Sequence, residues 1–311
     1  IQMAFTAKDV QALREMTGVG MMDCKKALTA ADGDKDKAIE WLREKGLAAQ
    51  TKKAGKVAAE GVSYAIVNEA GVGVVVEVNS QTDFVAKNEV FQGFVKDVAS
   101  VIAAEDPADV AALQEMTYPG TDRTIASVTA DKVLSIGENI QIRRFVRYAE
   151  GVNVPYIHMG GKVGVLVNLA VEGIADMAKV VEVGKDVAMQ IAAMNPAFLD
   201  KSDVDQATLD KEKEILLVQA LEENKNAAKP KPERIIHKMV EGRIVKFYKE
   251  VCLLEQAFVK DADISVGKMI EQKANGLNIV RFTRYKMGDG LEKKVNDLAA
   301  EVAEQIGSMQ K

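Results

Sequence analysis

The sequence is poor in the residues that most often carry chemistry. Of 311 residues only two are cysteine, Cys24 and Cys252, and only two are histidine, His158 and His237. The cysteines lie far apart and no C-x-x-C occurs, which excludes a zinc ribbon and a thioredoxin-type redox site. A buried free thiol is the expectation for each, and such usage fits a reducing compartment. There is no H-E-x-x-H, no G-x-S-x-G and no pair of histidines at metal spacing. The carboxylates are scattered over helical stretches. The expectation is a chain that is not an enzyme and takes no metal or cofactor. No apolar run reaches the roughly 18 residues that span a bilayer. Ile1-Gln2-Met3-Ala4-Phe5 has neither the charged nor the apolar part of a secretory signal, so no membrane partner and a cytoplasmic location are expected. A basic excess is missing too: 41 Lys+Arg stand against 46 Asp+Glu, a net charge of −5. A general polyanion binder usually shows the opposite balance, so direct nucleic-acid binding is not expected, although a local basic patch is compatible with these totals. What remains is globular: 48% hydrophobic and 28% charged residues, on a length that suits about two domains.

The first segment reads as a three-helix module over 3–54, with a linker to 60. Thr6-Ala7-Lys8-Asp9 is a capping box with Asp9 in place of Glu or Gln. Val10, Leu13 and Met16 are spaced for one helical face. Gly18 and Gly20 break the helix, Asp23 is placed to cap a second one through Leu28, and Asp32-Gly33-Asp34 makes a turn. Lys35 to Lys45 reads as a third helix that Gly46 ends. Residues 47–60 read as a small-residue, basic linker, either a solvated connector with partial helical character or a binding element.

From Gly61 the period changes to two. Val62, Tyr64 and Ile66 alternate, as do Val72, Val74, Val76 and Val78, around Asn68-Glu69-Ala70-Gly71: a β-hairpin. Helical patterns follow over 88–104, 108–116 and 125–135, and strand alternation returns over 139–149. Two short stretches then recur: Gly73–Val76 resembles Gly164–Val167, and Arg144–Tyr148 resembles Arg281–Tyr285. The pattern implies two related α+β subdomains with antiparallel sheets, 61–151 and 152–200 with 251–288. Between the two parts of the second, 201–250 reads as a helical hairpin. Leu209, Leu216, Leu217, Ala220 and Leu221 stripe one helix, and Ile236, Met239, Val240, Ile244 and Phe247 the other. Pro230 and Pro232 sit in the turn. Two fates fit it: docking on another protein or a second copy, as a homodimer, or folding onto its own core. Residues 289–311 read as a C-terminal helix, with Leu291, Val295, Leu298, Val302 and Ile306 on one face.

Apparent ligand motifs fail on inspection. Asp32-Gly33-Asp34-Lys35-Asp36 imitates a calcium loop, but Lys37 and Arg43 occupy the positions that need glycine and a bidentate glutamate. His158-Met159-Gly160-Gly161-Lys162 imitates a phosphate loop, but Val163 stands where Ser or Thr is required and the upstream glycine is missing. Gly160-Gly161 reads instead as a turn into a strand over 163–170, and His237 as a solvated helical residue.

Two stretches resist a structural explanation. In Thr17-Gly18-Val19-Gly20-Met21-Met22-Asp23-Cys24-Lys25-Lys26-Ala27-Leu28, adjacent methionines beside a glycine turn suit adaptable partner contacts. The competing reading packs one inward and uses the other to shield it. In Asn79-Ser80-Gln81-Thr82-Asp83-Phe84-Val85-Ala86-Lys87-Asn88, Phe84 is either an exposed aromatic or a core staple, and Thr82 or Asp83 is a helix cap.

On these two stretches the chain resembles the bacterial elongation factor Ts family, the guanine-nucleotide exchange factors of elongation factor Tu. Gly137-Glu138-Asn139-Ile140 with Arg143-Arg144, His158 before Gly160-Gly161, and Lys238-Met239-Val240-Glu241-Gly242-Arg243 add to the resemblance, which runs from about Thr6 to the end. It implies an N-terminal module similar to ubiquitin-associated domains, a core of two subdomains, a coiled-coil arm and a C-terminal helical module. It further implies that Arg14, Met21 and Met22 contact the GTPase domain of elongation factor Tu. Thr82, Asp83 and Phe84 would reach toward its magnesium site, and His158 would face the partner. The arm falls in an insertion that varies in the family and is linked to dimerisation there.

Without the resemblance, a nucleic-acid-associated protein would come next. Arg143, Arg144 and Arg147, with Phe145 and Tyr148, make a basic-aromatic stretch, but strand alternation splits it between two faces. A metabolic enzyme is the third reading.

Overall fold

The computed structural model describes residues 5–174, 176–227 and 229–292. The architecture is α+β with antiparallel sheets, the class expected. Three helices open the chain: α1 (Ala7–Thr17), α2 (Met21–Ala30) and α3 (Lys35–Lys53). The Thr6 hydroxyl accepts from the Asp9 amide, and Asp9 accepts from the Thr6 amide at 2.9 Å, so the capping box forms as read. These bonds, with Lys35 beside it, pull the Asp9 carboxyl down to about 2. Gly18 ends α1 in the left-handed region (φ 69°), where a side chain would be strained.

Three local expectations need correction. Val10 and Leu13 are buried, but Met16 is 67% exposed. On a helix Met16 lies about 60° further round than Leu13, whereas Thr17 falls between Val10 and Leu13. Second, α2 starts two residues before Asp23, with Gly20 as its cap and no side-chain bond there. Third, Gly46 does not end α3, which runs on through much of the expected connector to Lys53. Gly46 is buried in mid-helix against α7 (below), where a Cβ would lie 3.2 Å from the Ala130 carbonyl oxygen. The missing side chain serves close helix approach here, not a helix stop. The core of the three helices is Val10, Leu13, Val19, Cys24, Ala27, Leu28, Ala38 and Leu42, and Leu134 packs against it from α7.

The hairpin forms as β1 (Glu60–Val67) and β2 (Gly73–Ser80), and α4 (Asp83–Ala86), α5 (Glu89–Glu105), α6 (Val110–Glu115) and α7 (Ile125–Ile136) follow. Then come β3 (Gln141–Tyr148), β4 (Val152–His158), a short 3₁₀ turn over Met159–Gly161 and β5 (Val163–Val171). The Gly160-Gly161 turn is therefore the expected one, with His158 paired to Val163 across it. After α8 (Met177–Met194) come the hairpin helices α9 (Gln206–Lys225) and α10 (Glu233–Val251). The chain continues through β6 (Ala257–Phe258), β7 (Asp261–Ser265), α11 (Val266–Lys273) and β8 (Leu277–Lys286). The sheet orders are β1-β2-β3 and β4-β5-β8. In each, a hairpin is joined by a strand that returns after intervening helices. The two recurring stretches fall on the matching strands: β2 with β5, and β3 with β8.

The described chain divides into two compact units, one from the residues up to Ser63, Val76–Phe145 and the residues from Lys286, the other from Tyr64–Val75 and Val146–Tyr285. The first centres on fully buried Phe91, Phe94, Ile102, Leu113, Ile125 and Ile140. In the second, α8 and α11 cover the sheet around Val154, Val165, Val167, Val187, Ile191 and Met269. There Asp186 bonds Lys260 at 2.6 Å and Lys273 at 2.9 Å. Burial alone would raise its carboxyl, and the two ammonium groups outweigh that and lower it. In the same unit α9 and α10 pack together over a thin seam of Ala220, Ile236 and Val240 with Leu216 and Leu217. Leu221 of the expected stripe is 40% exposed. His237 is exposed, 3.7 Å from Glu233. Of the expected C-terminal helix, 289–292 are described and are not helical, and the rest lies outside the described residues.

Both cysteines are buried and free. Burial disfavours the thiolate and raises both thiols, that of Cys252 to about 11. Among the described residues no cluster of His, Cys, Asp and Glu is placed to hold a metal, and no helix is long and apolar enough to cross a membrane.

Candidate functional site

Two exposed features stand out in the first unit. Met21 and Met22 open α2, at 40% and 65% exposure. Neither packs inward, because Cys24, Ala27 and Leu28 already fill the buried face of that helix. The adjacent methionines are left as soft apolar surface beside the Gly18–Gly20 turn. Arg14, in the last turn of α1, is exposed as well.

The other feature is the turn after β2. Thr82 caps α4, its hydroxyl accepting from the Val85 amide. Val85 and Ala86 are buried and hold the short helix to the body. Phe84 points away and is 80% exposed, an unusual state for so apolar a ring. The aromatic is therefore no core staple. Asp83 is half-buried, and its carboxylate accepts from Lys87 one helical turn on, at 2.8 Å.

What holds this turn was not legible in its own sequence. Glu138, in the loop between α7 and β3, accepts from the Gln81 and Thr82 amides through Oε2, both at 3.0 Å. Its Oε1 accepts from the Thr82 hydroxyl at 2.6 Å. One carboxylate thus satisfies three donors of the turn that presents Phe84. The only sequence signal for Glu138 was its place in a stretch that carried the family resemblance.

The neighbouring strands are stitched by a second carboxylate. Glu77 of β2 is fully buried and receives Arg143 Nη1 at 2.9 Å and Arg144 Nε at 2.6 Å. It also accepts from the Gly288 amide at 3.0 Å. Alternation alone would send Arg143 and Arg144 to opposite faces, but long guanidinium stems let neighbours on β3 converge on one acceptor. Tyr148 is buried, with the Arg281 guanidinium 4.2 Å from its ring centre. Of the groups behind the nucleic-acid reading, Arg143, Arg144 and Tyr148 are engaged within the chain.

His158 lies in the second unit, at the end of β4. Its Nδ1 is 3.2 Å from the Tyr156 hydroxyl, and the two rings stack at 6.0 Å. The adjacent Met159 is 73% exposed. The structure thus brings Arg14, Met21, Met22, Thr82, Asp83 and Phe84 into one unit and sets His158 in the other.

A family model described as elongation factor TS matches residues 81–289. Proteins named elongation factor Ts are similar over nearly the whole chain. That of Clostridium perfringens strain 13 is 50% identical over 309 residues, spanning 97% of this chain and 99% of the relative. That of Syntrophotalea carbinolica is 47% identical over 307 residues, spanning 97% and 99%. That of Halothermothrix orenii is 47% identical over 307 residues, spanning 98% and 99%.

Proposed function

This chain belongs to the elongation factor Ts family, and from that membership we propose that it binds the translation GTPase elongation factor Tu and speeds the release of GDP. The observation that carries the reading is Phe84, an aromatic ring exposed on a turn whose backbone is braced from below. An exposed ring costs solubility, so its retention on a rigid mount fits a surface meant to be covered.

The mechanism needs no catalytic residue. A GTPase holds its nucleotide by phosphate contacts and a bridging Mg²⁺. A rigid projection that docks beside them stabilises an arrangement in which those contacts are weaker. Factor and nucleotide then lower one another's affinity by one shared coupling free energy. In this reading residues 3–54 form the GTPase-binding module, through Arg14, Met21 and Met22. Phe84 is the anchor from the core, Thr82 shapes its turn, and Asp83 exchanges Lys87 for polar groups near the magnesium and phosphate site. His158 meets the partner from the second unit.

The test is release of fluorescent GDP from a bacterial translation GTPase with and without this chain. Many-fold acceleration by substoichiometric chain is expected. No acceleration, together with no complex on nucleotide-stripped GTPase, overturns the proposal. A narrower prediction concerns the methionines. Met21→Ala with Met22→Ala is expected to weaken GTPase binding roughly tenfold, as loss of central apolar contacts does. The melting transition should barely move, because exposed side chains contribute within about 0.5 kcal/mol to folding. Titration calorimetry beside thermal melts separates the two, and matched losses would return the methionines to a packing role.

A further inference from the structure

We propose that Glu138 is a positioning residue, the central member of a three-residue bracket that fixes the Phe84 turn and the N-terminal helices to one another. The inference rests on the exchange-factor reading and deepens it.

Gly137, Glu138 and Asn139 are consecutive, and each makes a different long-range tie. The Gly137 carbonyl accepts from the Lys53 ammonium at the end of α3. Glu138 accepts from the Gln81 amide, the Thr82 amide and the Thr82 hydroxyl, at 3.0, 3.0 and 2.6 Å. The buried Asn139 side chain donates to the Lys56 carbonyl at 2.8 Å. Gly137 caps α7 with φ 84°, and α7 is itself packed along α3. Both ends of the bracket therefore hold the chain that leaves the helical module, and its centre holds the turn that carries Phe84.

The chemistry suits a mount better than a ligand site. Two backbone amides and a hydroxyl converge on one half-buried carboxylate, and hydrogen bonds to a charged acceptor are about twice as strong as neutral ones. Backbone N–H groups cannot rotate away, so the carboxylate sets the direction in which the chain leaves β2. Val85 and Ala86 of α4 are themselves buried, so the turn is held from two sides and Phe84 keeps one heading. Without the carboxylate, the Thr82 and Gln81 amides turn to water and the heading is lost, while the packing of β2 and α5 remains.

The test uses the full chain and compares Glu138→Ala with Glu138→Gln. Glutamine can keep the geometry: its carbonyl accepts from the two amides, and its NH₂ donates to a Thr82 hydroxyl turned to accept. Amide hydrogen exchange by NMR reports on the mount in the free protein. In Glu138→Ala the Gln81 and Thr82 amides should exchange at least about tenfold faster, with amides in α5 and β2 unchanged, and in Glu138→Gln they should stay slow. Release of fluorescent GDP at saturating factor reports on function, and here Glu138→Ala should lose roughly tenfold or more, since small misplacements are costly, with Glu138→Gln near wild type. Preserved Gln81 and Thr82 protection in Glu138→Ala overturns the bracket. Lost protection with full stimulation overturns its role in exchange. Should Glu138→Ala fail to fold, Thr82→Val removes the hydroxyl tie to Glu138 together with the cap that the same hydroxyl gives the Val85 amide, and the Gln81 and Thr82 amides are read by the same two measurements. A wild-type chain that does not stimulate release refutes the exchange-factor reading instead, and amide exchange still decides the bracket.

Discussion

With Asp83→Ala and Phe84→Ala combined, factor-stimulated GDP release is expected to slow by roughly 10- to 100-fold at saturating factor. Covering a phenylalanine side chain yields roughly 1.5–3 kcal/mol, and each 1.4 kcal/mol is about a factor of ten. The effect belongs in the rate because the contact is stronger where the nucleotide is loosened, and only such differential contacts speed a step. Asp83 adds to the loss: its carboxylate is held by Lys87 in the free chain and is available for exchange on docking. Folding should survive, because Phe84 is 80% exposed and makes no part of the core. Stopped-flow release of labelled GDP, with circular dichroism melts on the same samples, measures both. A folded double variant that stimulates at the wild-type rate removes these residues from the mechanism.

The second large effect is on stability. Glu77→Ala is expected to destabilise the first unit by about 2–4 kcal/mol, less than a fully buried pair would lose because its arginines are partly exposed. The Glu77 side chain is fully buried, whereas those of Arg143 and Arg144 keep 25% and 35% exposure. Removing the carboxylate leaves two guanidinium groups with poorer partners and frees the Gly288 amide. Arg143 also donates to the Asp289 carbonyl at 2.6 Å, so the segment after β8 should loosen as well. Differential scanning calorimetry should show the melting temperature of the first unit lowered by roughly 5–12 °C. Glu77→Gln should recover only part, since an amide offers one acceptor where the carboxylate had two. A change within about 0.5 kcal/mol would mean that the donors to Glu77 find equal partners without it.

The two predictions differ in how visible their residues were beforehand. Phe84 could be singled out from its neighbours alone, because an aromatic beside a helix-capping threonine after an apolar strand is locally odd. Glu77 looked like one polar residue in a valine-rich strand. Its partners come from β3 and from beyond β8, and periodicity carries no information about which distant donors will converge.

The same division holds for the helices. The Thr6–Asp9 capping box was legible because its bonds close within four residues. Gly46 was misleading for the opposite reason. A glycine after a helical run is a stop signal locally, and its actual use depends on Ala130 of α7, which packs against it. Met21 and Met22 were legible as excess hydrophobicity, but their exposure depended on how completely Cys24, Ala27 and Leu28 fill the small core.

The sequence by itself determined the α+β class, the two related strand–helix patterns, the helical hairpin and the identity of the odd residues. Each of those rests on backbone preferences and on the repeat of apolar positions, which act over a few neighbouring residues. Tertiary structure alone decided that one carboxylate from the α7–β3 loop mounts the Phe84 turn, 56 and 57 residues away in the chain. It alone decided that Glu77 gathers two arginines and that α3 continues past Gly46. Those outcomes belong to groups brought together only when the chain closes on itself, where desolvation makes each buried donor and acceptor find a partner.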